Sequence, residues 1–257
     1  MSGSIVVVGI GPGAVNQMTP AARVAVESAD IIVGYQTYLK LIAALVPNIP
    51  REASGMRTEV KRVARVIEMA QLGKRAVLVS SGDPGIYGMA GLVIEMLRER
   101  QLDQLDVEIV PGLSALNAAA SLLGAPLMTD FAVISLSDQL VPREAILRRV
   151  ELATQADFVL CLYNPKSRHR TDPFDETCAI LSRERPPETP VGIVRAAYRD
   201  QQQVTLTDLA GLPQAAVDMV TLVIVGNSRT FIHNGKMATA RGYGDKYSLD
   251  DSREEGE

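Results

Sequence analysis

Three segments in the first half of the sequence combine glycine, proline and small polar residues in a way that suits ligand binding through the main chain. They are Gly-Ile-Gly-Pro-Gly at 9–13, Ser-Gly-Asp-Pro-Gly-Ile-Tyr-Gly at 81–88 and Pro-Gly-Leu-Ser-Ala at 111–115. Glycine allows backbone N–H groups to approach a ligand closely or to take a positive φ. Each segment follows a short apolar run, and ligands of open α/β sheets bind beyond the carboxyl ends of the strands. The three loops therefore predict one pocket built from main-chain groups.

The first of these loops fits the dinucleotide-binding pattern poorly. That pattern has Gly-x-Gly-x-x-Gly opening directly into a helix, with an acidic residue about 20 residues further on. Here position 14 is alanine, Pro12 stands inside the loop, and Asp30 introduces the next strand instead of ending it. An NAD site and a purely structural tight turn stay open as alternatives for this loop.

The cysteines and histidines are too few and too widely separated to predict a metal site. Sixteen residues separate Cys161 from Cys178, and His169 lies 64 positions before His233. Neither spacing matches a zinc pattern. Cys161 belongs to an apolar run, so both cysteines are expected to be buried, reduced thiols.

Short apolar runs alternate with helical patterns along the chain, which predicts an α/β fold with a mainly parallel sheet. The predicted strands cover 5–8, 30–33, 76–79, 107–110, 132–136, 157–162, 191–194 and 222–225. The predicted helices cover 20–28, 58–72, 87–100, 113–123, 143–154 and 174–185. Thr19 followed by Pro20 predicts the N-cap and the first residue of a helix.

The sequence changes character at two places that predict domain limits. Gly-Ala-Pro at 124–126 ends a predicted helix, and the last residues of the chain are strongly acidic. We therefore expect an N-terminal α/β domain at 1–124, a C-terminal α/β domain at 125–240 and a mobile acidic tail at 241–257. From Asp245 onward the tail carries six acidic and two basic residues, which account for the whole net charge of −4.

The composition is that of a globular protein with neither a nucleic-acid partner nor a membrane span. Of the 257 residues, 47% are hydrophobic and 22% are charged, which excludes a disordered chain. No apolar run approaches the roughly 18 residues of a membrane helix, and the N-terminus lacks the basic region of a secretory signal. The body has no basic excess and aromatic residues reach only 4%, which disfavours nucleic-acid binding. A cytoplasmic location is the expectation.

The Gly-x-Gly-Pro-Gly loop, the Gly-Asp-Pro loop and the Val-Pro-Gly-x-Ser-Ala segment at 110–115 have an order and spacing that resemble the tetrapyrrole methylases. The resemblance extends to about Thr230. It implies two α/β domains, each with a central, mainly parallel or mixed sheet. It also implies S-adenosyl-L-methionine bound in the cleft between them, S-adenosyl-L-homocysteine as the product, a small-molecule tetrapyrrole substrate and a homodimer.

Four further segments resemble the ring-contracting branch of that family, the C17-methyltransferases of cobalamin (vitamin B12) biosynthesis. They are Val-Gly-Tyr-Gln-Thr-Tyr-Leu at 33–39, Ala-Ser-Gly-Met-Arg at 53–57, Leu-Tyr-Asn-Pro-Lys-Ser at 162–167 and Val-Gly-Asn-Ser at 225–228. The branch methylates precorrin-3B at C17 and contracts the ring to give precorrin-4. Gln36 and Met56 stand where the uroporphyrinogen III methyltransferases place an acidic residue and a lysine, which counts against that reaction. The alternatives are a cobalt-factor III methyltransferase, another methylase of this fold and a non-catalytic nucleotide-binding protein.

Carried over residue by residue, the resemblance implies a set of cofactor contacts. In the first half they are Gly11, Pro12, Gly82, Asp83, Ile86, Tyr87, Ser114 and Ala115. In the second half they are Leu162, Tyr163, Asn164, Arg195, Ala196, Ala197 and Thr221. Ordinary packing at strand ends is the alternative for those of the second half. Asp83, between Gly82 and Pro84, is expected to serve the cofactor and not the packing of its loop.

A tetrapyrrole substrate of this kind carries several carboxylates, so its arms need cations. The densest basic cluster lies at 166–170, directly after a predicted strand, and supplies Lys166, Arg168 and Arg170. Arginine suits bidentate capture of a carboxylate. A solvated basic loop is the alternative, and the other cations at predicted strand–loop junctions are Arg57, Arg195, Arg199 and Arg229.

Ring contraction also requires a group that accepts a hydroxyl proton. The sequence does not choose among the candidates, which are Asp83, Tyr163, Asn164 and His169.

Overall fold

The first half of the chain forms a five-stranded sheet in the computed structural model, which describes residues 3–55, 57–167 and 170–249. Its strands are β1 (Ser4–Gly9), β2 (Ile31–Tyr35), β3 (Arg51–Ser54), β4 (Arg75–Ser80) and β5 (Asp106–Val110). The spatial order is β3-β2-β4-β1-β5, and every neighbouring pair is parallel. Val6, Val7 and Val8 in the centre are fully buried, as expected for a strand covered on both faces.

Helices cover both faces of this first sheet. They are α1 (Pro20–Glu27), α2 (Gln36–Ile42), α3 (Glu59–Gln71) and α4 (Ala90–Glu99). One apolar layer contains α3 and α4, and the other contains α1 and α2. The start of α1 confirms the predicted cap, because Thr19 Oγ1 accepts a hydrogen bond of 3.0 Å from the Ala22 N–H and Pro20 is the first helical residue.

The second half contains a mixed five-stranded sheet and a small three-stranded one. The strands are β6 (Gly124–Ala125), β7 (Phe131–Ser135), β8 (Val159–Tyr163), β9 (Pro190–Arg195), β10 (Gln203–Asp208), β11 (Thr221–Val225), β12 (Thr230–His233) and β13 (Lys236–Thr239). The larger sheet has the order β10-β9-β11-β8-β7, in which only β7 and β8 are parallel neighbours. The smaller sheet has the order β12-β13-β6.

Helices α6 (Arg143–Gln155) and α7 (Asp172–Glu184) pack on the larger sheet of the second half. Phe174 of α7 is fully buried in that core, together with Leu160 and Leu162 of β8. A short helix, α8 (Tyr243–Lys246), follows β13. The α/β fold class is therefore confirmed, with a parallel sheet in the first half and a mixed sheet in the second.

Contacts divide the chain into two units within helix α5 (Ala115–Leu123). One unit is Met1–Ala118 with Ala197–Asp200, and the other is Ala119–Ala196 with Gln201–Glu257. The domain limits predicted at 124/125 and 240/241 stay predictions. In the part of the chain that the structure describes, no helix is both long and apolar enough to cross a bilayer.

Some elements differ from the predicted ones for identifiable reasons. Strands β3 (Arg-Glu-Ala-Ser) and β10 (Gln-Val-Thr-Leu-Thr-Asp) were not predicted, because each lies at the edge of its sheet and needs no continuous apolar run. Helix α2 and the hairpin of β12 and β13 were not predicted either. The helix predicted over 87–100 begins only at Ala90, because Tyr87 has a φ of 50°, in the left-handed region.

Candidate functional site

The three glycine-rich loops meet at one edge of the first sheet. They follow β1, β4 and β5, which are parallel and adjacent, so the prediction that the loops share an edge is confirmed. The Gly11 N–H donates to the Gly82 carbonyl at 3.1 Å, and the Gly82 N–H donates to the Gly11 carbonyl at 2.9 Å. A Cβ on Gly9 would lie 2.5 Å from the Gly82 carbonyl oxygen and 2.8 Å from the Gly112 nitrogen. The loops therefore contact one another through their main chains, which leaves no space for a side chain at Gly9 or Gly112.

Asp83 links two of these loops. Its Oδ1 accepts the Gly85 N–H at 2.8 Å and its Oδ2 accepts the Gly112 N–H at 3.2 Å. The expectation that Asp83 has no part in the packing of its loop is wrong, because both of its oxygens hold backbone N–H groups. A carboxylate retains further lone pairs in this arrangement, so the cofactor contact predicted for Asp83 stays a prediction.

The other predicted residues of the first half belong to the same loops. Ser114 is buried, and its hydroxyl donates to Asn117 Oδ1 at 2.6 Å and accepts the Asn117 N–H at 3.2 Å. It thereby caps α5, whose first residue is Ala115. Ile86 and Tyr87 are partly exposed, at 37% and 55%, and give the loop at 81–88 an apolar surface.

Arg199 packs against the first two glycine loops. Its Nε donates to the Pro12 carbonyl, and its Nη2 lies 3.4 Å from Ser81 Oγ. Gly13 has a φ of 150°, and a Cβ there would lie 2.7 Å from Cγ of Arg199. From the sequence, Arg199 is only a cation at a predicted strand–loop junction. Its contacts leave no local pattern, because 187 positions separate Arg199 from Pro12.

The predicted residues of the second half gather at one edge of the larger second sheet. Strands β8 and β9 both pair antiparallel with β11, so their carboxyl ends lie beside the beginning of β11. This edge brings together Leu162, Tyr163, Asn164, Arg195, Ala196 and Thr221. Ala197 follows directly and belongs to the segment that groups with the first unit.

Asp218 fixes the side chains of two of these residues. Arg195 Nε donates to Asp218 Oδ2 at 2.9 Å, and Thr221 Oγ1 donates to Asp218 Oδ1 at 2.8 Å. Burial raises the pKa of Asp218, but hydrogen bonds from Thr221, the Val220 N–H and Arg195 outweigh it, so the pKa lies below its ordinary value. Asp218 is therefore a carboxylate that neutralises Arg195 at this edge.

Asn164 and Arg170 form a clamp at the ends of β7 and β8. Asn164 has a φ of 52°, and its Nδ2 donates to Ser135 Oγ at 2.9 Å. Arg170 Nη2 donates to the Asn164 carbonyl at 2.8 Å, and Nη1 donates to the Leu136 carbonyl. Burial lowers the pKa of Arg170, although Asp138 opposes the effect. The guanidinium thus holds the protein's own carbonyls, and its predicted role in substrate binding stays a prediction.

The other residues of the basic cluster either contact groups of the protein itself or lie outside the described residues. Lys166 Nζ is 2.9 Å from Asp175 Oδ1 and 4.8 Å from the centre of the Phe174 ring. Arg168 and His169 lie outside the described residues, as does Met56.

The structure also describes two further cations that the sequence singled out. Arg57 is exposed, with a φ of 59°. Arg229 pairs with Asp245 at 2.6 Å.

Both cysteines are shielded from solvent. Cys161 and Cys178 are free and buried, which confirms the prediction of buried thiols. Burial raises the pKa of each thiol to about 12. Among residues 3–55, 57–167 and 170–249, no group of three or more His, Cys, Asp or Glu side chains could hold a metal ion.

Comparison with known proteins defines the class. The family described as Tetrapyrrole (Corrin/Porphyrin) Methylases matches residues 4–213. The crystal structure of the methyltransferase CobJ has a TM-score of 0.87 and 35% sequence identity, and the match covers 93% of this chain and 100% of that one. This chain therefore belongs to the tetrapyrrole methylase family and is a methyltransferase.

Three relatives indicate which members of the family this chain resembles. Cobalt-factor III methyltransferase of Priestia megaterium is 46% identical over 99% of this chain, which spans 48% of that longer protein. The probable cobalt-factor III C(17)-methyltransferase of Salmonella typhimurium is 46% identical over 92% of this chain and 98% of its own length. Precorrin-3B C(17)-methyltransferase of Sinorhizobium sp is 40% identical over 90% of this chain and 92% of its own length.

Proposed function

We propose that this chain transfers a methyl group from S-adenosyl-L-methionine to C17 of a tetrapyrrole with contraction of the ring, in cobalamin biosynthesis. The observation that carries the proposal is its similarity, over nine tenths or more of the chain, to proteins named as C17-methyltransferases. The glycine-loop edge of the first sheet supports it. S-adenosyl-L-methionine is the methyl donor of the tetrapyrrole methylase family.

The loops at this edge suit the binding of a sulfonium cofactor. Methyl transfer is an in-line displacement that needs little acid–base help, and placing the reactants in near-attack geometry can contribute about 7–11 kcal/mol. The cofactor loses its positive charge in the reaction, so a strong negative charge beside the sulfur would stabilise the ground state more than the transition state. The oxygens of Asp83 already accept two N–H groups, which moderates the negative charge that this edge presents.

The proposed substrate is precorrin-3B or cobalt-factor III. Two of the relatives named above act, by their names, on cobalt-factor III and are 46% identical, whereas the one named for precorrin-3B is 40% identical. The higher identity favours the cobalt substrate as a second candidate function. In either case the carboxylate arms need cations, for which Lys166, Arg168 and Arg170 stay the proposed residues.

Turnover decides between the two substrates. The purified chain should be incubated under anaerobic conditions with S-adenosyl-L-methionine and either metal-free precorrin-3B or cobalt-factor III. We expect mass spectrometry to detect a product that has gained one methyl group, together with S-adenosyl-L-homocysteine, from at least one substrate. Absence of S-adenosyl-L-homocysteine with both would contradict the proposed reaction.

The oligomeric state, the location, the domain limits and the cofactor contacts are part of the same proposal. We propose a homodimer in the cytoplasm, two domains at 1–124 and 125–240, and cofactor contacts from the named residues of both halves. Sedimentation equilibrium measures the first directly. A monomer at concentrations well above those of the assay would contradict it.

A further inference from the structure

The turn after β9 has an unusual backbone. Ala196 has a φ of 50° and Tyr198 has a φ of 56°. Left-handed conformations are unfavourable for residues with a Cβ, and such strain persists where the surrounding structure enforces it, often at ligand sites. The Ala196 N–H donates to the Val220 carbonyl at 2.9 Å, which fixes the start of the turn. The strained turn carries Arg199.

The side chain of Arg199 lies on the glycine loops. Nε donates to the Pro12 carbonyl and Nη2 is 3.4 Å from Ser81 Oγ. Gly13 leaves room for it in this position, because a Cβ there would lie 2.7 Å from both Cγ and Nε of Arg199. Arg199 is half-buried, so its head group is partly shielded from water and yet reachable by a ligand.

The contacts of Arg199 do not neutralise its charge. Both acceptors are neutral, and no carboxylate of the described residues lies within ion-pair distance of Arg199. By contrast, Arg195 is paired with Asp218 and Arg229 with Asp245. A guanidinium has five N–H donors in a fork that matches a carboxylate. Two hydrogen bonds therefore leave Arg199 with donors to offer.

We propose that Arg199 binds a carboxylate at the glycine-loop edge. The inference rests on the proposed function, which supplies two sources of that group: the amino-acid portion of the cofactor and the acid side chains of the tetrapyrrole. The hydrogen bond to Pro12 orients the guanidinium, and the free side of the fork receives the carboxylate. Half-burial strengthens such a bond, because the competing water is reduced.

The experiment separates the two sources by means of a ligand that lacks the carboxylate. Dissociation constants of S-adenosyl-L-homocysteine and 5′-methylthioadenosine are measured by calorimetry for the parent, Arg199→Met and Arg199→Lys. Steady-state kinetics give the KM of the tetrapyrrole. Arg23→Met is the control, because Arg23 is an exposed residue of α1 that pairs with Glu27.

If Arg199 binds the carboxylate of the cofactor, Arg199→Met should weaken the binding of S-adenosyl-L-homocysteine about 10- to 100-fold. The binding of 5′-methylthioadenosine should stay unchanged. If Arg199 binds a carboxylate of the substrate, the dissociation constants of both nucleosides should stay unchanged. The KM of the tetrapyrrole should then rise by a similar factor. In either case Arg199→Lys should restore part of the loss, since it keeps the charge without the fork.

Two results would overturn the inference. If Arg199→Met weakens the binding of both nucleosides equally, Arg199 only holds the loops in shape. If the dissociation constants and the KM all equal those of the parent, Arg199 is dispensable for binding. Failure of the proposed function is recognised separately, because the parent would then neither bind S-adenosyl-L-homocysteine nor methylate the tetrapyrrole.

Discussion

At the scale of single residues, the glycine pattern was informative because it reports how closely main chains approach. Gly9 and Gly112 have no room for a Cβ, whereas a Cβ on Gly91 of α4 would meet no atom within 4 Å beyond its chain neighbours and the backbone of its own helix. The partners of Arg199 and Arg170 could not be predicted, since side-chain contacts between residues distant in sequence leave no local signal. The candidate site was thus predictable where it is made of backbone, and not where it is made of long side chains.

Gly9→Ala tests the loop contacts. The new methyl group would lie 2.5 Å from the Gly82 carbonyl oxygen, so the loops must separate, at a cost of about 1–3 kcal/mol. We expect calorimetry to give at least a tenfold weaker binding of S-adenosyl-L-homocysteine. Gly91→Ala is the matched control and should bind like the parent, with equal or higher stability. Unchanged binding in Gly9→Ala would remove these loops from the cofactor site.

Asp83→Ala should affect both stability and binding. The substitution leaves the Gly85 and Gly112 N–H groups without their acceptor, and bonds to a partly exposed carboxylate are worth about 1–3 kcal/mol in total. We expect a lower midpoint of urea unfolding together with weaker S-adenosyl-L-homocysteine binding. The exposed Asp103 provides the control substitution, Asp103→Ala. A variant with lower stability but parent affinity would limit Asp83 to shaping its loop.

At the scale of elements, the apolar strands were predictable, and the polar edge strands β3 and β10 were not. Strands buried on both faces must be continuously apolar, as β1 and β11 are, and such runs are visible in a sequence. The polar edge strands β3 and β10 are defined by pairing with a neighbour, and neither contains a continuous apolar run. Helix starts differed in the same way. The N-cap at Thr19 could be predicted from the sequence, but the left-handed conformation of Tyr87, after which α4 begins, could not.

The clamp between β7 and β8 predicts a distinct effect for Arg170→Met. Loss of the bonds to the Leu136 and Asn164 carbonyls should lower the free energy of unfolding by about 2–4 kcal/mol. If the end of β8 contacts the cofactor, the substitution should also weaken the binding of S-adenosyl-L-homocysteine. Arg185→Met is the matched control, because Arg185 donates to the Phe158 and Gly226 carbonyls at the opposite ends of β8 and β11.

The two variants should therefore lose similar stability, measured by urea unfolding, but only Arg170→Met should lose affinity. If both variants bind S-adenosyl-L-homocysteine equally well, the clamp is not part of the cofactor site and Arg170 has a structural role.

At the scale of the whole molecule, the chain presents two α/β units whose predicted site residues lie at one edge of each main sheet. The fold class followed from the alternation of apolar runs with helical patterns. The mixed direction of the second sheet did not, because strand direction depends on the path of the connections and not on the strands themselves. The second unit also contains both cysteines, in β8 and α7, and they predict how stability depends on pH.

Stability should fall in alkali because both thiols are buried in the native state. Burial raises the pKa of Cys161 and Cys178 from 9.0 to about 12, so between these values the unfolded chain has released protons that the folded chain retains. Each thiol then lowers the free energy of unfolding by up to about 1.4 kcal/mol per pH unit, whereas below pH 9 its contribution is constant. Urea unfolding from neutral pH to about pH 11 should show a steeper decline for the parent than for the Cys161→Ala, Cys178→Ala double variant. The comparison of slopes cancels the titration of lysines and tyrosines and the cost of the cavities left by alanine. Parallel declines would mean that both thiols ionise as readily in the folded protein as in the unfolded chain.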